Sequence, residues 1–385
     1  MITPLIATCA GGLETVLSQE ITARGWRVVG SEAGAVRFTG TGSVVAEANI
    51  VLRTASRILV PLTKGSVASF DDLYRLASGA DWTRLAPPSR SIGVTAVSSD
   101  KELGDTRFAA LKVKDAIVDH QRRKTGNRSE VDRRTPDIGI VVFINRGTAE
   151  ISLDSTGSPL HMRGYRTEAG EAPLRETVAA GIVLLSGWDS RTPLLDPFCG
   201  SGTIVIEAAM IAAGIHPGSG RDDFGFLRWP GADRSGFERT REKLRAAGPR
   251  ELAGKLASNS GGSPPLIFGA DRDSAAIEMA GRNAERAGVR DLINFENREF
   301  FSDAVTPKGT MLLCNPPYGE RIDLDDAAGF YRQVGDHLKQ NYAGSTAWIL
   351  SANRAAMKQL GLRTSAKLPL FNGGLDSRLY RIALF

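Results

Sequence analysis

The 385-residue sequence predicts an α/β chain: an open, doubly wound sheet ending in an antiparallel hairpin over residues 173–385, preceded by smaller α+β domains. Three observations carry this. From about residue 173, short apolar strands alternate with helical segments. The last two strands follow one another with no helix between them. Before residue 156, paired strands and helices alternate in the manner of α+β domains.

The elements follow in order. Pro4–Thr8 reads as a strand broken by Gly11-Gly12, and Leu13, Val16, Leu17 and Ile21 recur at helical spacing. Residues 26–29 and 35–38 alternate as a hairpin, and residues 44–60 read as a helix leading into a strand. The small unit so formed can pair its strands with a neighbour. Residues 70–78 and 108–124 are helical, residues 91–97 a strand, and residues 138–144 with 148–153 a hairpin. Residues 156–172 hold Gly157, Pro159, Gly164 and Gly170 and read as a linker. Strands then begin at Leu194, Leu266, Ile293, Thr310 and Thr346, with helices at 203–213, 274–288 and 327–341. Residues 367–371 and 379–384 form the edge hairpin. Residues 216–265 break the rhythm and read as an insertion, helical around 237–247. The expected domains are residues 1–60, 44–155 (sharing a boundary), the linker 156–172, and 173–385 with its insertion.

Composition sets bounds. Hydrophobic residues make up 42% and charged residues 24%, as in ordinary globular chains. No apolar run spans a bilayer, no secretory leader is visible, and Cys9, Cys199 and Cys314 lack metal spacing. The expectation is a cytoplasmic protein with no membrane association and no metal. The net charge of +5 is concentrated N-terminally: residues 1–170 hold 22 Lys and Arg against 18 Asp and Glu. The excess is densest at Arg122, Arg123, Lys124, Arg128, Arg133 and Arg134, and the linker adds His161, Arg163 and Arg166. A solvated helix end is the plain reading of such a run, and a polyanion-binding surface is the functional one.

The strongest motif is Leu194-Leu195-Asp196-Pro197-Phe198-Cys199-Gly200-Ser201-Gly202-Thr203. A buried strand ends in a carboxylate, and a Gly-x-Gly turn opens a helix whose first amides lack partners. Glycines there allow close backbone approach to a ligand. A dinucleotide site wants a third glycine, and Val205 follows instead. Asp271, closing the next strand, suits ribose hydroxyls, and Ser274 is available to cap the helix after it. Adenosine binding without a pyrophosphate grip points to S-adenosylmethionine. The second motif is Asn315-Pro316-Pro317-Tyr318, after another buried strand. The Asn oxygen and the Pro316 carbonyl can accept two hydrogen bonds from one exocyclic amine, turning its lone pair toward an electrophilic methyl. Tyr318 offers a stacking ring for an extruded base. Cys199 and Cys314 read as small buried thiols rather than nucleophiles.

These strings resemble the class I (Rossmann-like) methyltransferases that carry a THUMP RNA-binding domain. Residues 111–119, Val131-Asp132-Arg133, Ser152-Leu153-Asp154, Leu160–Arg166, Ala172–Thr177 and Phe371–Leu375 resemble the RlmL type, which methylates guanine N2 in 23S ribosomal RNA. The resemblance implies a ferredoxin-like N-terminal domain, then a THUMP domain, then the methyltransferase. It implies cofactor contacts at Asp196, Phe198, Gly200, Thr203 and Asp271, with Glu299 near the adenine. Pro197 and Gly202 complete the candidate cofactor turn. Asn315, Pro316, Pro317 and Tyr318 would hold the target guanine, and Arg122, Arg123, Lys124, Arg128, Arg133, Arg163 and Arg166 the RNA. Sister readings are a tRNA guanine-N2 methyltransferase and an adenine-N6 methyltransferase. A reading from another class is a catalytically silent RNA-binding assembly factor.

Overall fold

The computed structural model describes residues 2–166, 174–246, 266–302, 307, 309–317 and 324–385. They form two compact units, each built on a seven-stranded sheet.

The first unit comprises residues 1–8, 21–160 and 221–243. Its strands are β1 (Ile2–Cys9), β2 (Arg27–Glu32), β3 (Ala35–Thr41), β4 (Ala55–Ser66), β5 (Ile92–Ser98), β6 (Ile138–Asn145) and β7 (Thr148–Asp154), in the order β2-β3-β1-β4-β7-β6-β5. The neighbourhood of β1 and β4 joins the N-terminal strands and the later ones into one sheet. β5 pairs parallel to β6, and the helix Thr106–Thr125 lies between them in sequence. That helix starts at Asp105, whose carboxylate accepts the Phe108 amide, and stops at Gly126 with φ 74°. Its apolar side buries Ala109, Val113, Ala116 and Ile117 against Ile138, Ile140 and Val142. The exposed end carries Arg122, Arg123 and Lys124, where cations oppose the partial negative charge of the helix C-terminus. The short helix Trp82–Leu85 has no period for a sequence pattern to reveal; it forms because Trp82 is fully buried and its Nε1 donates to the Ala77 carbonyl at 2.7 Å.

The second unit comprises residues 9–20, 161–220 and 244–385. Its strands are β8 (Leu194–Asp196), β9 (Ile267–Asp271), β10 (Ile293–Asn297), β11 (Met311–Cys314), β12 (Thr346–Ser351), β13 (Thr364–Asn372) and β14 (Leu375–Ala383), in the order β10-β9-β8-β11-β12-β14-β13. Five strands run parallel, and β14 turns antiparallel beside β12 with β13 at the edge. One core cluster holds Val178, Ile182, Ile204, Val205 and Ala284 from helices Glu176–Ser186, Thr203–Ala212 and Ser274–Arg286. A second holds Tyr331, Val334, Leu338 and Met357 from helices Leu324–Asn341 and Arg354–Gln359. Strand residues alternate between the clusters, as in Leu194 and Leu195. Both faces are therefore covered, and the expected doubly wound sheet with its terminal hairpin is present.

Two segments join a unit distant from them in sequence. Residues 9–20 pack in the second unit. There the Phe371 amide donates to the Gly11 carbonyl at 3.1 Å, and Leu13 is fully buried. A Cβ at Gly12, with φ 94°, would stand 2.0 Å from the Pro369 oxygen, so glycine is required. Residues 221–243, inside the stretch read as an insertion, pack in the first unit. The Arg221 guanidinium donates to the carbonyls of Ser158 (2.7 Å) and Pro159 (3.0 Å), and the rings of Phe224, Phe226 and Phe237 cluster at 5.7 Å. Among the described residues, no helix is long and apolar enough to cross a membrane.

Candidate active site

The site lies where three adjacent parallel strands end. β8 sits between β9 and β11, with Leu195 opposite Leu312 and Asp196 opposite Gly269. Running on to their C-terminal ends, these strands deliver Asp196, Asp271, Cys314 and Asn315 to one edge of the sheet. That edge is where open parallel sheets bind ligands.

The β8 turn is held from both sides. The Asp196 carboxylate accepts the Phe198 amide at 3.1 Å, and Asp271 accepts the Gly200 amide at 2.9 Å. The Cys199 amide reaches the Ala270 carbonyl at 2.9 Å, tying the turn to β9. Gly200 and Gly202 adopt φ 51° and 82°, a region that L side chains avoid. They differ in surroundings. A Cβ at Gly200 would meet nothing within 4 Å, whereas one at Gly202 would press on the Ala280 Cβ at 3.0 Å. Gly202 thus serves helix packing, and Gly200 leaves room for a ligand. Thr203 and Pro197 are buried at the turn.

Burial pushes the Asp196 carboxyl well above the usual range, and the charge of Asp271 adds to that rise; only the Phe198 amide opposes it. Such a carboxyl favours a cationic or hydroxyl-bearing neighbour that would share its charge. Burial likewise raises the Cys199 and Cys314 thiols, aided by Asp196 in both cases. Both stay protonated at neutral pH, which disfavours a thiolate nucleophile.

Asn315 follows β11 directly. Its Oδ1 is buried and has no hydrogen-bond partner among the described residues. An orphaned buried acceptor costs roughly 1–3 kcal/mol, and a ligand N–H would relieve it. Pro316 is buried and Pro317 half-buried. Tyr318 lies outside the described residues.

Glu299 is exposed, just beyond β10. The preceding Arg298 amide donates to the Asp271 carbonyl at 2.9 Å, which brings Glu299 to the same edge. The helix after Asp271 is capped by Asp273, whose carboxylate accepts the Ala275 amide at 2.9 Å; Ser274 is already the first helical residue. The cap expected at Ser274 is therefore one residue earlier, and Asp271 remains available to the turn.

The basic candidates divide. Arg122, Arg123, Lys124, Arg128 and Arg133 are exposed. Arg163 and Arg166 are not surface cations. Arg163 is 4% exposed, with Nε 3.4 Å from Glu207, itself fully buried and also reached by the Tyr165 hydroxyl at 3.1 Å. Arg166 donates to Glu176 at 2.8 Å and to the Leu174 carbonyl at 2.9 Å. Their expected role at RNA phosphates is corrected: buried carboxylates need them, Arg163 pairing with Glu207 of the helix Thr203–Ala212 and Arg166 with Leu174 and the first turn of the helix Glu176–Ser186.

Sequence reasoning missed two supports. Asn283, fully buried, donates to the Ser201 carbonyl at 3.1 Å and so braces the glycine turn from a neighbouring helix. Phe198 contacts Phe300 at 5.0 Å and Phe330 at 5.9 Å, making an aromatic wall. The Phe300-Phe301 pair after β10 was the available signal for it.

The turn therefore fits a nucleoside carrying cationic and hydroxyl groups. It offers two carboxylates, room beside Gly200, an aromatic wall, and a separate unpaired acceptor for an amine.

Comparison with known proteins gives the family. Residues 163–381 match the family described as RMKL-like, methyltransferase domain. Residues 67–154 match the THUMP domain and residues 4–59 the RlmL ferredoxin-like domain. A Synechocystis protein named "Putative RNA methyltransferase" is 37% identical over 383 residues, covering 99% of this chain and 97% of the other. The solved structure of SMU.472, described as "a putative methyltransferase complexed with SAH", is 30% identical, with a TM-score of 0.85 over 100% of this chain and 98% of that one. A Listeria monocytogenes protein described as a predicted N6-adenine-specific DNA methylase is 29% identical, with a TM-score of 0.85 over 100% and 97% of the two chains. The chain belongs to the RMKL-like methyltransferase family, with an RlmL-type ferredoxin-like domain and a THUMP domain ahead of its methyltransferase domain.

Proposed function

We propose that this chain transfers a methyl group from S-adenosylmethionine to the exocyclic N2 of a guanine in RNA, with large-subunit (23S) ribosomal RNA as the substrate. The observation that carries the reading is the unpaired, buried Asn315 Oδ1, one residue past β11 and beside the Asp196–Asp271 turn. Family membership supports the transfer chemistry, the SAH bound in SMU.472 supports the donor, and the THUMP domain and the Synechocystis relative's name support RNA. The RlmL-type N-terminal match supports the ribosomal target over tRNA.

When bound, S-adenosylmethionine supplies an electrophilic methyl group on a sulfonium. The chain's own residues position everything around it. Asp271 fixes the Gly200 amide and presents its remaining lone pairs to ribose hydroxyls. Asp196 lends charge beside the turn. Phe198, braced by Phe300 and Phe330, gives the adenine side an apolar wall. Asn315 Oδ1 and the Pro316 carbonyl accept the two amine hydrogens, so the nitrogen lone pair faces the methyl. The gain is orientation, and no protein nucleophile takes part.

An adenine N6 amine presents the same two hydrogens, and the Listeria relative is described as a predicted N6-adenine-specific DNA methylase. One experiment separates the targets: mass spectrometry of nucleosides from ribosomal RNA, tRNA and DNA of cells with and without this chain. Loss of N2-methylguanosine from large-subunit RNA alone supports the proposal. Loss of it from tRNA moves the substrate, and loss of N6-methyladenine moves the base.

A further inference from the structure

One face of the first sheet is covered: Ile140, Val142 and Ile144 of β6 pack under the helices Phe70–Ser78 and Thr106–Thr125. Alternation sends Val141 and Phe143 to the opposite face. There they floor a groove of about 900 Å³, together with Thr95 and Val97 of β5. Every residue lining this groove belongs to the first unit. One wall comes from Gly225 and Arg228, carried by the 221–243 segment that interrupts the methyltransferase sequence.

The charges of the groove are not balanced. Its four carboxylates are all engaged by its own arginines: Glu32 and Glu150 by Arg37, Asp154 by Arg57, and Asp223 by Arg228. Arg107, Arg133 and Arg134 line the same groove and make no ion pair among the described residues. Arg107, Leu111 and Lys114 fall on one face of their helix, with the two cations about 10 Å apart along the axis. Val97, Leu111 and Val131 are 51%, 41% and 45% exposed, an apolar strip along this cationic rim.

We propose that this groove holds an unpaired RNA strand, with bases on the Val141–Phe143 floor, phosphates on Arg107, Arg133 and Arg134, and the inserted segment closing the far wall through Arg228. An apolar, aromatic floor with a cationic rim is how single strands are gripped without sequence preference. The volume is that of a pocket enclosing small flat groups. An A-form duplex is read from outside, across its wide minor groove. The inference rests on RNA being the substrate, as proposed above.

The test uses the full chain and fluorescence anisotropy with a labelled mixed-sequence single-stranded RNA, and with the same strand annealed to its complement. Wild type should prefer the single strand. Combined Arg107→Gln, Arg133→Gln and Arg134→Gln should weaken its binding at least tenfold and lower the slope of log affinity against log salt by about 2, at roughly 0.7 per phosphate contact. Arg122→Gln, Arg123→Gln and Lys124→Gln remove the same charge from the helix end, about 22 Å further along from Arg107, and should cost threefold or less. Arg228→Ala should shift single-strand affinity without changing cofactor affinity by calorimetry. Equal losses from the two triple variants, or tighter duplex binding by wild type, overturn the groove. If the groove variants lose single-strand affinity but the wild type methylates no RNA, the groove stands and the guanine reading falls.

Discussion

Asn315→Ala separates a catalytic acceptor from a structural one. A polar side chain that holds a fold together has partners, and losing it destabilises the protein. Asn315 Oδ1 is buried with no partner among the described residues. Its burial costs the folded state on the order of 1–3 kcal/mol before any substrate arrives. Truncation to Ala removes that cost along with a few packing contacts. The melting temperature should therefore hold or rise, at about 2–4 °C per kcal/mol for a domain of this size. Catalysis should move the other way. A preorganised group aimed at a reacting centre contributes roughly 2.7–4 kcal/mol, or about 10²–10³ in turnover. Asn315→Asp keeps an acceptor in place and should recover part of that rate. The assay is single-turnover incorporation of labelled methyl into RNA, run beside thermal unfolding and calorimetric titration of S-adenosylmethionine. Cofactor affinity should stay within a few-fold. A variant that melts several degrees lower, or one that keeps a rate within tenfold of wild type, refutes the reasoning.

Three further outcomes follow from the same geometry. Because burial and Asp271 hold the Asp196 carboxyl above its usual range, the folded chain keeps that proton where an unfolded chain has lost it; this contribution to stability declines as pH rises past the ordinary carboxylate pKa. A cation arriving beside Asp196 should expel the proton, so cofactor binding should tighten with pH and its heat should vary with buffer ionisation enthalpy, a dependence that Asp196→Asn removes; heats indifferent to buffer would contradict this. Gly200→Ala should cost only the roughly 1–2 kcal/mol of a left-handed backbone while lowering cofactor affinity, whereas Gly202→Ala should destabilise by about 1–3 kcal/mol more through its contact with Ala280; equal melting points for the two would undo the distinction. Arg163→Ala should destabilise by about 3–5 kcal/mol, because it strands the buried Glu207, and should leave the RNA affinity of the folded fraction unchanged; lost affinity with an unaltered melting point would return Arg163 to the substrate.

The catalytic half was legible because its signals are local. β8 and β9 are short apolar runs ending in Asp196 and Asp271, β11 is one followed directly by Asn315, and parallel strands with helical crossovers must send those ends to one side. The first sheet was legible only in pieces: residues 138–144 and 148–153 read as a hairpin, and the N-terminal strands as a small unit able to pair with a neighbour, which β1 beside β4 does. What escaped depends on distant contacts. The helix Glu176–Ser186 has eight buried residues and no polar stripe, so it shows no amphipathic period. Arg163 and Arg166 look like linker cations until Glu207 and Glu176 are seen beneath them. Nothing near Asn283 in sequence says that it braces Ser201, 82 residues away.

Neither compact unit is a continuous stretch of chain, and that bears on how substrate binding and catalysis are kept together. A beads-on-a-string enzyme could lose its RNA-binding part and keep an intact methyltransferase core. Here the core of the second unit includes Leu13, and Gly181 lacks a side chain because a Cβ there would stand 2.5 Å from Leu13. Removing the N-terminal segment would expose that hollow, at a cost of roughly 1.5–3 kcal/mol for one buried leucine, before the lost Gly11–Phe371 bond is considered. In the other direction, residues 221–243 give the first unit Arg221 and a cluster of three phenylalanines. Each unit thus completes its core with chain from the other's sequence region. A split between residues 160 and 161 would therefore leave each unit without a segment that its core needs, and a chain cut there should lose the stability of both units together.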